Sequence, residues 1–540
     1  RTLDAIMRAR SEHGSPLFSA ITDCGAGGFS SAIGEMGEKV GAEVDLDKAP
    51  LKYAGLRYDE IWISESQERM VLAVAQGNLD ALQRICDEEG VELSVLGTFG
   101  SKNDEGEAQL VLRFEGEEVG RMTMHFLHEG IPMPVRDASW TAPEGRQLQP
   151  AERVDNDELL LKLLSHPNLA SKRWIIRQYD HEVQGNTLLK PLVGPGGDGP
   201  GDAAVIQPVP ESEQGLAISC GLQTNLGTPD VAGGDPYTMT LSAIDECVRN
   251  LVCVGTDPDR IAILDNFCWP SCDRPQNMGA LTRCAIACYD GAKAYRTPFV
   301  SGKDSLNNQF RYKDPSGNEV LVEIPPTLLV TGMGVSPSVD RLVTMDMKAS
   351  APGSEPDELV LIGLPDKAMA PHAVSMTGSH ADLLLGRSST EPLVAVDLEL
   401  GPKAARFVAD LIGAGEVRAA HDCSEGGLLA CVAEMLLASF DPNRASPGAG
   451  LFIDRLMNGA TEEERRRLLF GEGPSRYVLQ VGPGDSTPIA DRAKALGLGA
   501  EPIGIVTDDA QLDVFDSLKS TLLTVGVADC LAAFTKPLDW

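Results

Sequence analysis

Two short segments near the start of the chain have the composition of a ligand site. Asp23 is followed by small residues and then by a helical pattern over 29–36, which predicts a strand, a glycine turn and a helix. The N–H groups at such a helix start bind anions, and Asp23 would hold Mg2+ beside the anion. Polar residues 64–69 separate two strand-like apolar runs and suit a ligand wall. The structural alternatives are a capped tight turn and a solvated edge.

The middle of the chain predicts a second group of polar residues at strand ends. The helical pattern 242–254 precedes the short strand 261–264, which ends at Asp265–Asn266. A second helix and strand, 278–295 and 298–300, end at the polar residues 301–305. Ligands commonly bind at the carboxyl ends of strands in α/β sheets. This pattern therefore predicts two neighbouring polar loops at one ligand-binding edge.

Other motifs have mainly structural interpretations. The segment Gly302–Ser305 resembles the end of a P-loop but lacks the upstream glycine, so a P-loop is rejected. The glycine-rich run 194–201, followed by Asp202, is interpreted as a flexible loop or a phosphate cradle. In Tyr179–Asp180–His181, the histidine is more often a structural group than a catalyst. The sequence has no G-x-S-x-G and no H-E-x-x-H motif, which removes support for a serine hydrolase or a zincin.

Composition excludes several classes of protein. The 540 residues suggest three or four domains. The net charge of -33 and 5% aromatic content disfavour nucleic-acid binding. No apolar run is long enough for a membrane helix, and the first residues contain no secretion signal. The 12 cysteines indicate reduced thiols; only the spacing of Cys268, Cys272, Cys284 and Cys288 raises a zinc alternative.

An internal repeat indicates the domain organisation. Residues 22–36 and 421–435 share six of fifteen positions, and residues 64–74 resemble 471–481. We therefore predict related domains over 1–150 and 346–540, around a different domain over 151–345. Polar, proline-containing stretches over 131–157 and 335–357 are the expected linkers. The duplication also predicts a copy of the middle domain ahead of residue 1.

Seven segments together resemble the phosphoribosylformylglycinamidine synthase family, within the aminoimidazole ribonucleotide synthetase superfamily. They read ITDCGAGGFSSAIGEMGE, APLKYAGLRYDEIWISESQERM, QYDHEVQGNT, GPGDAAVI, ILDNFCWP, FVSGKDSLNNQF and IPPTLLVTGMG. The resemblance covers essentially the whole chain. It implies a mixed α+β and α/β fold, with synthetase-like domains in the order C–N–C and an N-type domain missing in front.

The resemblance also implies which residues bind ligands. It gives a substrate-binding role to four residues: Glu65, Ser66, Gln67 and Ser305. It implies that Asp265 and Gly302 contact the nucleotide and that Asp23 is a magnesium ligand. The family has a magnesium-binding Asn where this chain has Lys303, and a protonated Lys is no ligand for a hard cation. Either Asp304 supplies the oxygen or that cation position is lost.

The implied activity is ATP- and Mg2+-dependent formation of formylglycinamidine ribonucleotide from formylglycinamide ribonucleotide and ammonia in purine biosynthesis. The implied partners are a glutaminase subunit that releases ammonia from glutamine and a small bridging subunit, in the cytoplasm, without nucleic acid or membrane. The family's catalytic histidines belong to the missing domain, so no catalytic residue is assigned, and His13 is interpreted as coincidence. Two alternatives remain: a non-catalytic nucleotide-binding part of that enzyme, inactive alone, or another superfamily member such as a small-molecule kinase.

Overall fold

The computed structural model describes residues 1–66, 68–145, 154–179, 182–351, 353–363, 373–386, 391–452, 461–516 and 520–539. The chain forms two compact units, Arg1–Val135 and Arg136–Trp540. Gln67, Asp180 and His181 lie outside the described residues. No helix in the described ranges combines the length and the apolar character needed to cross a bilayer.

The first unit contains short helices and two small sheets. Its helices are α1 (Thr2–Ser11), α2 (Phe29–Gly37), α3 (Tyr58–Ile63), α4 (Leu79–Glu89) and α5 (Met124–Glu129). Its strands are β1 (Phe18–Asp23), β2 (Ala42–Asp45), β3 (Met70–Val74), β4 (Gly97–Phe99), β5 (Gln109–Phe114) and β6 (Glu117–Thr123). Strand β1 pairs with β3, and the second sheet has the order β4-β2-β5-β6. The apolar side of α2 closes one core against that second sheet.

The second unit begins with a helical segment and a domain built on a six-stranded sheet. The helices are α6 (Asn156–Leu164), α7 (Arg173–Arg177), α8 (Pro236–Cys253) and α9 (Pro275–Tyr295). The strands are β7 (Thr187–Leu189), β8 (Leu192–Val193), β9 (Gly199–Pro200), β10 (Ala204–Ile206), β11 (Gly215–Leu222), β12 (Ile261–Cys268), β13 (Phe299–Ser305), β14 (Gln309–Lys313), β15 (Glu319–Glu323) and β16 (Thr327–Ser336). The main sheet has the order β13-β12-β16-β11-β10-β7. Helix α8 is buried along nearly its whole length because α9 and this sheet both pack against it.

The rest of the second unit is built on a seven-stranded sheet. Its helices are α10 (His380–Leu384), α11 (Leu400–Ala414), α12 (Gly427–Ser439), α13 (Glu462–Phe470), α14 (Ser486–Ala495) and α15 (Val527–Thr535). Its strands are β17 (Glu358–Gly363), β18 (Val417–Asp422), β19 (Gly448–Phe452), β20 (Tyr477–Val481), β21 (Gly499–Thr507), β22 (Gln511–Phe515) and β23 (Thr521–Gly526). The sheet order is β18-β20-β17-β21-β19-β22-β23. Helix α12 is almost entirely buried in the associated core.

Strand pairing in this sheet repeats the pairing in the first unit. Strand β18 is antiparallel to β20, as β1 is to β3. Strand β19 pairs antiparallel with β21 and parallel with β22, as β2 does with β4 and β5. Strand β17 joins the two groups of strands into one sheet, and no described strand of the first unit takes its place. The predicted duplication is therefore present in the fold.

Two local predictions from the sequence are wrong. Residues 61–63 are not a strand but the end of α3, because the Arg57 N–H donates to Glu60 Oε2 at 2.8 Å and so caps a helix. The polar residues 265–266 and 301–305 are not loops but continue β12 and β13. They stay extended because the two strands pair in parallel, with Asp265 opposite Gly302 and Cys268 opposite Ser305.

Candidate functional site

The turn between β1 and α2 can be formed only with glycine. Gly27 and Gly28 have φ values of 77° and 59°, in the left-handed region that glycine adopts without strain. A Cβ atom on Gly28 would lie 2.1 Å from the carbonyl oxygen of Ser64. The loop after α3 therefore lies directly against the turn, and the sequence meets this close approach with a residue that has no side chain.

A side chain of the same loop completes the turn. The Gly27 N–H donates a hydrogen bond to Glu65 Oε1 at 2.9 Å. The hydroxyls of Ser64 and Ser66 share a hydrogen bond of 2.9 Å. Glu65 and Ser66 are nevertheless solvent-exposed, so a ligand can still reach them. The structure thus brings the two segments singled out from the sequence, 23–28 and 64–66, into one surface site.

Asp23 stands at the end of β1 beside this turn. Its carboxylate is exposed and makes no hydrogen bond or ion pair with the described residues. Its Oδ2 lies 2.8 Å from the position that a Cβ on Gly25 would occupy. Carboxylate oxygens are common ligands of Mg2+, and no described protein group occupies those of Asp23. The donor chemistry at Asp23 therefore fits a hard cation.

The second copy of the repeat, residues 421–435 and 471–481, has the same turn and adjoining loop. Its acidic groups, however, form hydrogen bonds and ion pairs with other protein groups. The Gly426 N–H donates to Glu472 Oε1 at 2.8 Å, as Gly27 does to Glu65. Asp422, the counterpart of Asp23, is buried and accepts hydrogen bonds from Arg249 Nη2 at 3.2 Å and the Ser424 hydroxyl at 2.6 Å. The guanidinium of Arg249 thus supplies the positive charge at this acid.

A histidine lies between two carboxylates beside the second turn. His421 Nδ1 is 2.9 Å from Asp202 Oδ1, and His421 Nε2 is 3.1 Å from Glu434 Oε2. Burial alone would lower the pKa of His421, but the two carboxylates raise that pKa well above its usual value. Asp202, His421 and Asp422 lie close enough to hold a metal ion. With both ring nitrogens facing carboxylates, the surroundings of His421 favour the imidazolium form over a metal-ligating imidazole.

A small cavity of about 30 Å3 adjoins Arg249. Its walls include Ser242 and Thr377, whose hydroxyls are buried and have no hydrogen-bond partner among the described residues. A cavity of this size has room for water, which can satisfy these two hydroxyls. The second copy therefore keeps a cavity although its acids are paired.

The expected nucleotide residues lie side by side on β12 and β13. Asp265 pairs with Gly302, and a Cβ on Gly302 would lie 1.8 Å from Asp265 Oδ1. Burial raises the pKa of Asp265, and the negative charge of Asp304 raises it further. The absent side chain at Gly302 leaves room for the Asp265 carboxylate over the strand.

The side chains of Lys303, Asp304 and Ser305 lie on two different faces of β13, because side chains alternate along a strand. Lys303 and Ser305 point away from the face that carries Gly302, whereas Asp304 shares that face. Lys303 and Asp304 are exposed and Ser305 is half-buried. Asp304 is therefore the residue whose carboxylate lies near Asp265, and the Lys303 ammonium does not fit a cation position.

Three other motifs noted in the sequence lie in surroundings that show packing or exposure and no bound-metal geometry among the described residues. A Cβ on Gly194 would lie 1.6 Å from the carbonyl oxygen of Ala438, so the glycine-rich run packs closely against α12. Cys284 is buried and its Sγ lies 2.6 Å from the Thr240 hydroxyl. The four spaced cysteines form no metal-binding group within the described ranges. Tyr179 is exposed, and its two neighbours in the motif lie outside the described residues.

The repeated turn and the repeated strand pairing define a mixed α/β protein built from duplicated domains. The C-terminal domain model of the AIR synthase related proteins matches residues 3–108 and 357–517, and their N-terminal domain model matches residues 200–335. The chain therefore belongs to the AIR synthase related proteins, with domains in the order C, N, C. The resemblance and the domain order expected from the sequence are confirmed.

Curated relatives and solved structures agree with this assignment. Phosphoribosylformylglycinamidine synthase subunit PurL of Rhodospirillum rubrum is 33% identical over 498 residues, which are 91% of this chain and 60% of the relative. PurL of Rhizobium meliloti is 31% identical over 493 residues, 90% of this chain and 59% of the relative. The chain thus spans about three fifths of these relatives.

The solved structures support the fold. Thermotoga maritima PurL complexed with AMPPCP matches with a TM-score of 0.57 and 20% identity, over 91% of this chain and 65% of that one. The PurLQS structure from the same organism matches with a TM-score of 0.56 and 19% identity, over 91% and 64% of the two chains.

Proposed function

We propose that the chain acts in an ATP-dependent carbon–nitrogen ligase, a phosphoribosylformylglycinamidine synthase. The observation that carries the proposal is the junction of the Asp23 turn with Glu65 and Ser66 through the Gly27–Glu65 hydrogen bond. These are the positions at which the family resemblance implies metal and substrate binding. The curated relatives of the chain carry the name of this synthase.

The proposed reaction makes a poor leaving group into a good one. ATP transfers its terminal phosphoryl group to the amide oxygen of formylglycinamide ribonucleotide and leaves as ADP. Ammonia then attacks the amide carbon, and inorganic phosphate leaves to give the amidine. Because both ligands are anionic and the net charge of the protein is -33, local positive charge is needed at the site.

The residues of this chain would bind and orient the two ligands. Glu65 and Ser66, with Gln67, would hold the substrate, and Ser305 would add a hydroxyl contact. Asp265 and Gly302 would contact the nucleotide, with the missing Gly302 side chain leaving room for the Asp265 carboxylate. No residue of the chain is assigned to proton transfer.

We propose Asp23 as a magnesium ligand, since its exposed carboxylate has no partner within the described ranges. At the second cation position, we propose that Asp304 replaces the amide oxygen that Lys303 does not provide. When bound, Mg2+ would offset the charge of the phosphates.

The proposed partners follow from the ammonia requirement. A glutaminase subunit would supply ammonia from glutamine, and a small subunit would bridge the two; the Thermotoga maritima neighbour is described as a PurLQS structure. We place the chain in the cytoplasm, where its described cysteines, all free, would stay reduced.

Calorimetry and a product assay test the proposal together. The full chain is titrated with formylglycinamide ribonucleotide and MgATP, and amidine formation is measured with ammonium as the nitrogen source. We expect substrate binding that weakens at least tenfold in Asp23→Ala and Glu65→Ala, but not in the exposed control Asp104→Ala.

The outcomes of this experiment separate the alternatives. Ligand binding without amidine formation assigns the chain to the non-catalytic nucleotide-binding alternative. ATP consumption with a different phosphate acceptor assigns it to a small-molecule kinase. If the chain binds neither formylglycinamide ribonucleotide nor MgATP, the proposal is contradicted.

A further inference from the structure

Arg69 bonds to the main chain on both sides of Glu65. Its Nε donates to the carbonyl oxygen of Ser66 at 2.9 Å, and its Nη2 donates to that of Ser64 at 2.5 Å. A guanidinium presents these donors in a rigid planar fork. The two carbonyl groups that flank Glu65 are therefore fixed towards Arg69.

The same side chain connects the loop to the helix after the glycine turn. The guanidinium carbon of Arg69 lies 4.4 Å from the centroid of the Phe29 ring, and Phe29 is the first residue of α2. The Arg69 carbonyl also accepts the Cys24 N–H at 3.0 Å. Arg69 thus joins the loop, the turn and the helix start.

The second copy repeats these bonds with a different loop sequence. Arg476 Nε donates to the Gly473 carbonyl at 3.4 Å, and its Nη2 donates to the Gly471 carbonyl at 3.3 Å. Gly471 and Gly473 are the counterparts of Ser64 and Ser66. Because the loop side chains differ while the arginine bonds persist, the role of the arginine is to set the shape of the main chain.

We propose that Arg69 is a positioning residue that holds Glu65 and Ser66 in the orientation needed to bind the substrate. With both neighbouring carbonyls turned to Arg69, the side chains of Glu65 and Ser66 lie on the other side of the loop and remain accessible to solvent. A lysine cannot replace it, because one ammonium lacks the fork that reaches two carbonyls. This inference rests on the proposed function for the identity of the ligand, but not for the loop geometry.

The test uses Arg69→Lys and Arg69→Met in the full chain, with Arg121→Lys as the control. Arg121 is a part-exposed arginine of the same unit that bonds Glu118 and Gln109 instead of loop carbonyls. Hydrogen exchange is measured over 63–70 and over the equivalent segment 470–477. Calorimetry measures the affinity for formylglycinamide ribonucleotide with MgATP.

We expect at least tenfold faster exchange over 63–70 and at least tenfold weaker substrate affinity in both Arg69 variants. Exchange over 470–477 and the properties of Arg121→Lys should stay unchanged. Wild-type affinity in Arg69→Lys overturns the proposal, because it would show that Arg69 acts through its charge. Unchanged exchange over 63–70 overturns it as well. If the wild-type chain binds no substrate, the proposed function fails, and the exchange result alone decides whether Arg69 positions the loop.

Discussion

The carboxylate of Glu65 accepts the N–H of Gly27 at 2.9 Å across two segments that are 38 residues apart. Glu472 accepts the N–H of Gly426 in the same way at 2.8 Å. The hydrogen bond therefore belongs to the architecture of the duplicated domain. In the first copy the same carboxylate is exposed, so it combines a structural bond with access to a ligand.

Substitution of Glu65 separates these two roles. Glu65→Gln keeps an oxygen that accepts the Gly27 N–H, whereas Glu65→Ala leaves that N–H without its partner. A hydrogen bond of this kind contributes about 1 kcal/mol. We expect amide exchange at Gly27 to accelerate several-fold in Glu65→Ala and to stay near wild type in Glu65→Gln. Equal acceleration in both variants would show that the negative charge, and not the acceptor oxygen, holds the turn.

The absence of a side chain at Gly28 is a second requirement of the turn. Gly28→Ala would place a methyl group 2.1 Å from the Ser64 carbonyl oxygen at a φ of 59°. We expect the free energy of unfolding to fall by about 1–3 kcal/mol, measured by urea denaturation. Gly77→Ala is the matched control, because nothing lies within 4 Å of its added Cβ. A loss of the same size in the control would locate the effect outside the turn.

The sequence predicted the parts of the site that are formed by residues close together along the chain. The glycines after Asp23 and their repetition after Asp422 indicated the turn in both copies, and the repeat also contained Arg69 and Arg476. What Arg69 bonds to was not predictable, because its partners are main-chain carbonyls that no residue type marks.

Contacts between distant segments and strand ends were harder to predict. Asp202 and His421 are 219 residues apart along the chain and meet where the glycine-rich run packs on α12. The extension of β12 and β13 through polar residues was missed, because strand pairing outweighs local polarity there.

Arg249 lies between two buried acids that belong to different domains of the second unit. It forms ion pairs with Asp245 of its own helix and with Asp422 at the end of β18. Removing one member of such a group leaves the others charged and buried, which costs about 3–5 kcal/mol. We expect Arg249→Met to lower the free energy of unfolding of the second unit by this amount in urea denaturation. The exposed Arg260→Met is the control, and equal stabilities of the two variants would contradict the prediction.

Glu425 gives the second unit a dependence on pH. Burial raises the pKa of Glu425 from 4.5 to about 7, even though His380 nearby acts in the opposite direction. The folded state thus keeps the acid protonated at pH values where the unfolded chain has already lost the proton. The stability that Glu425 contributes is complete below pH 4.5 and is lost as pH rises through about 7.

Replacement of this acid by its neutral isostere measures the effect. Glu425→Gln keeps an oxygen for the Gln223 amide, which donates to Glu425 at 2.9 Å, and removes the titration. We expect the variant to match wild type at pH 4.5 and to be more stable by about 1–3 kcal/mol at pH 8. The measurement is urea denaturation at both pH values, with the exposed Glu355→Gln as control. A stability difference that is the same at both pH values would show that Glu425 is ionised in the folded protein throughout this range.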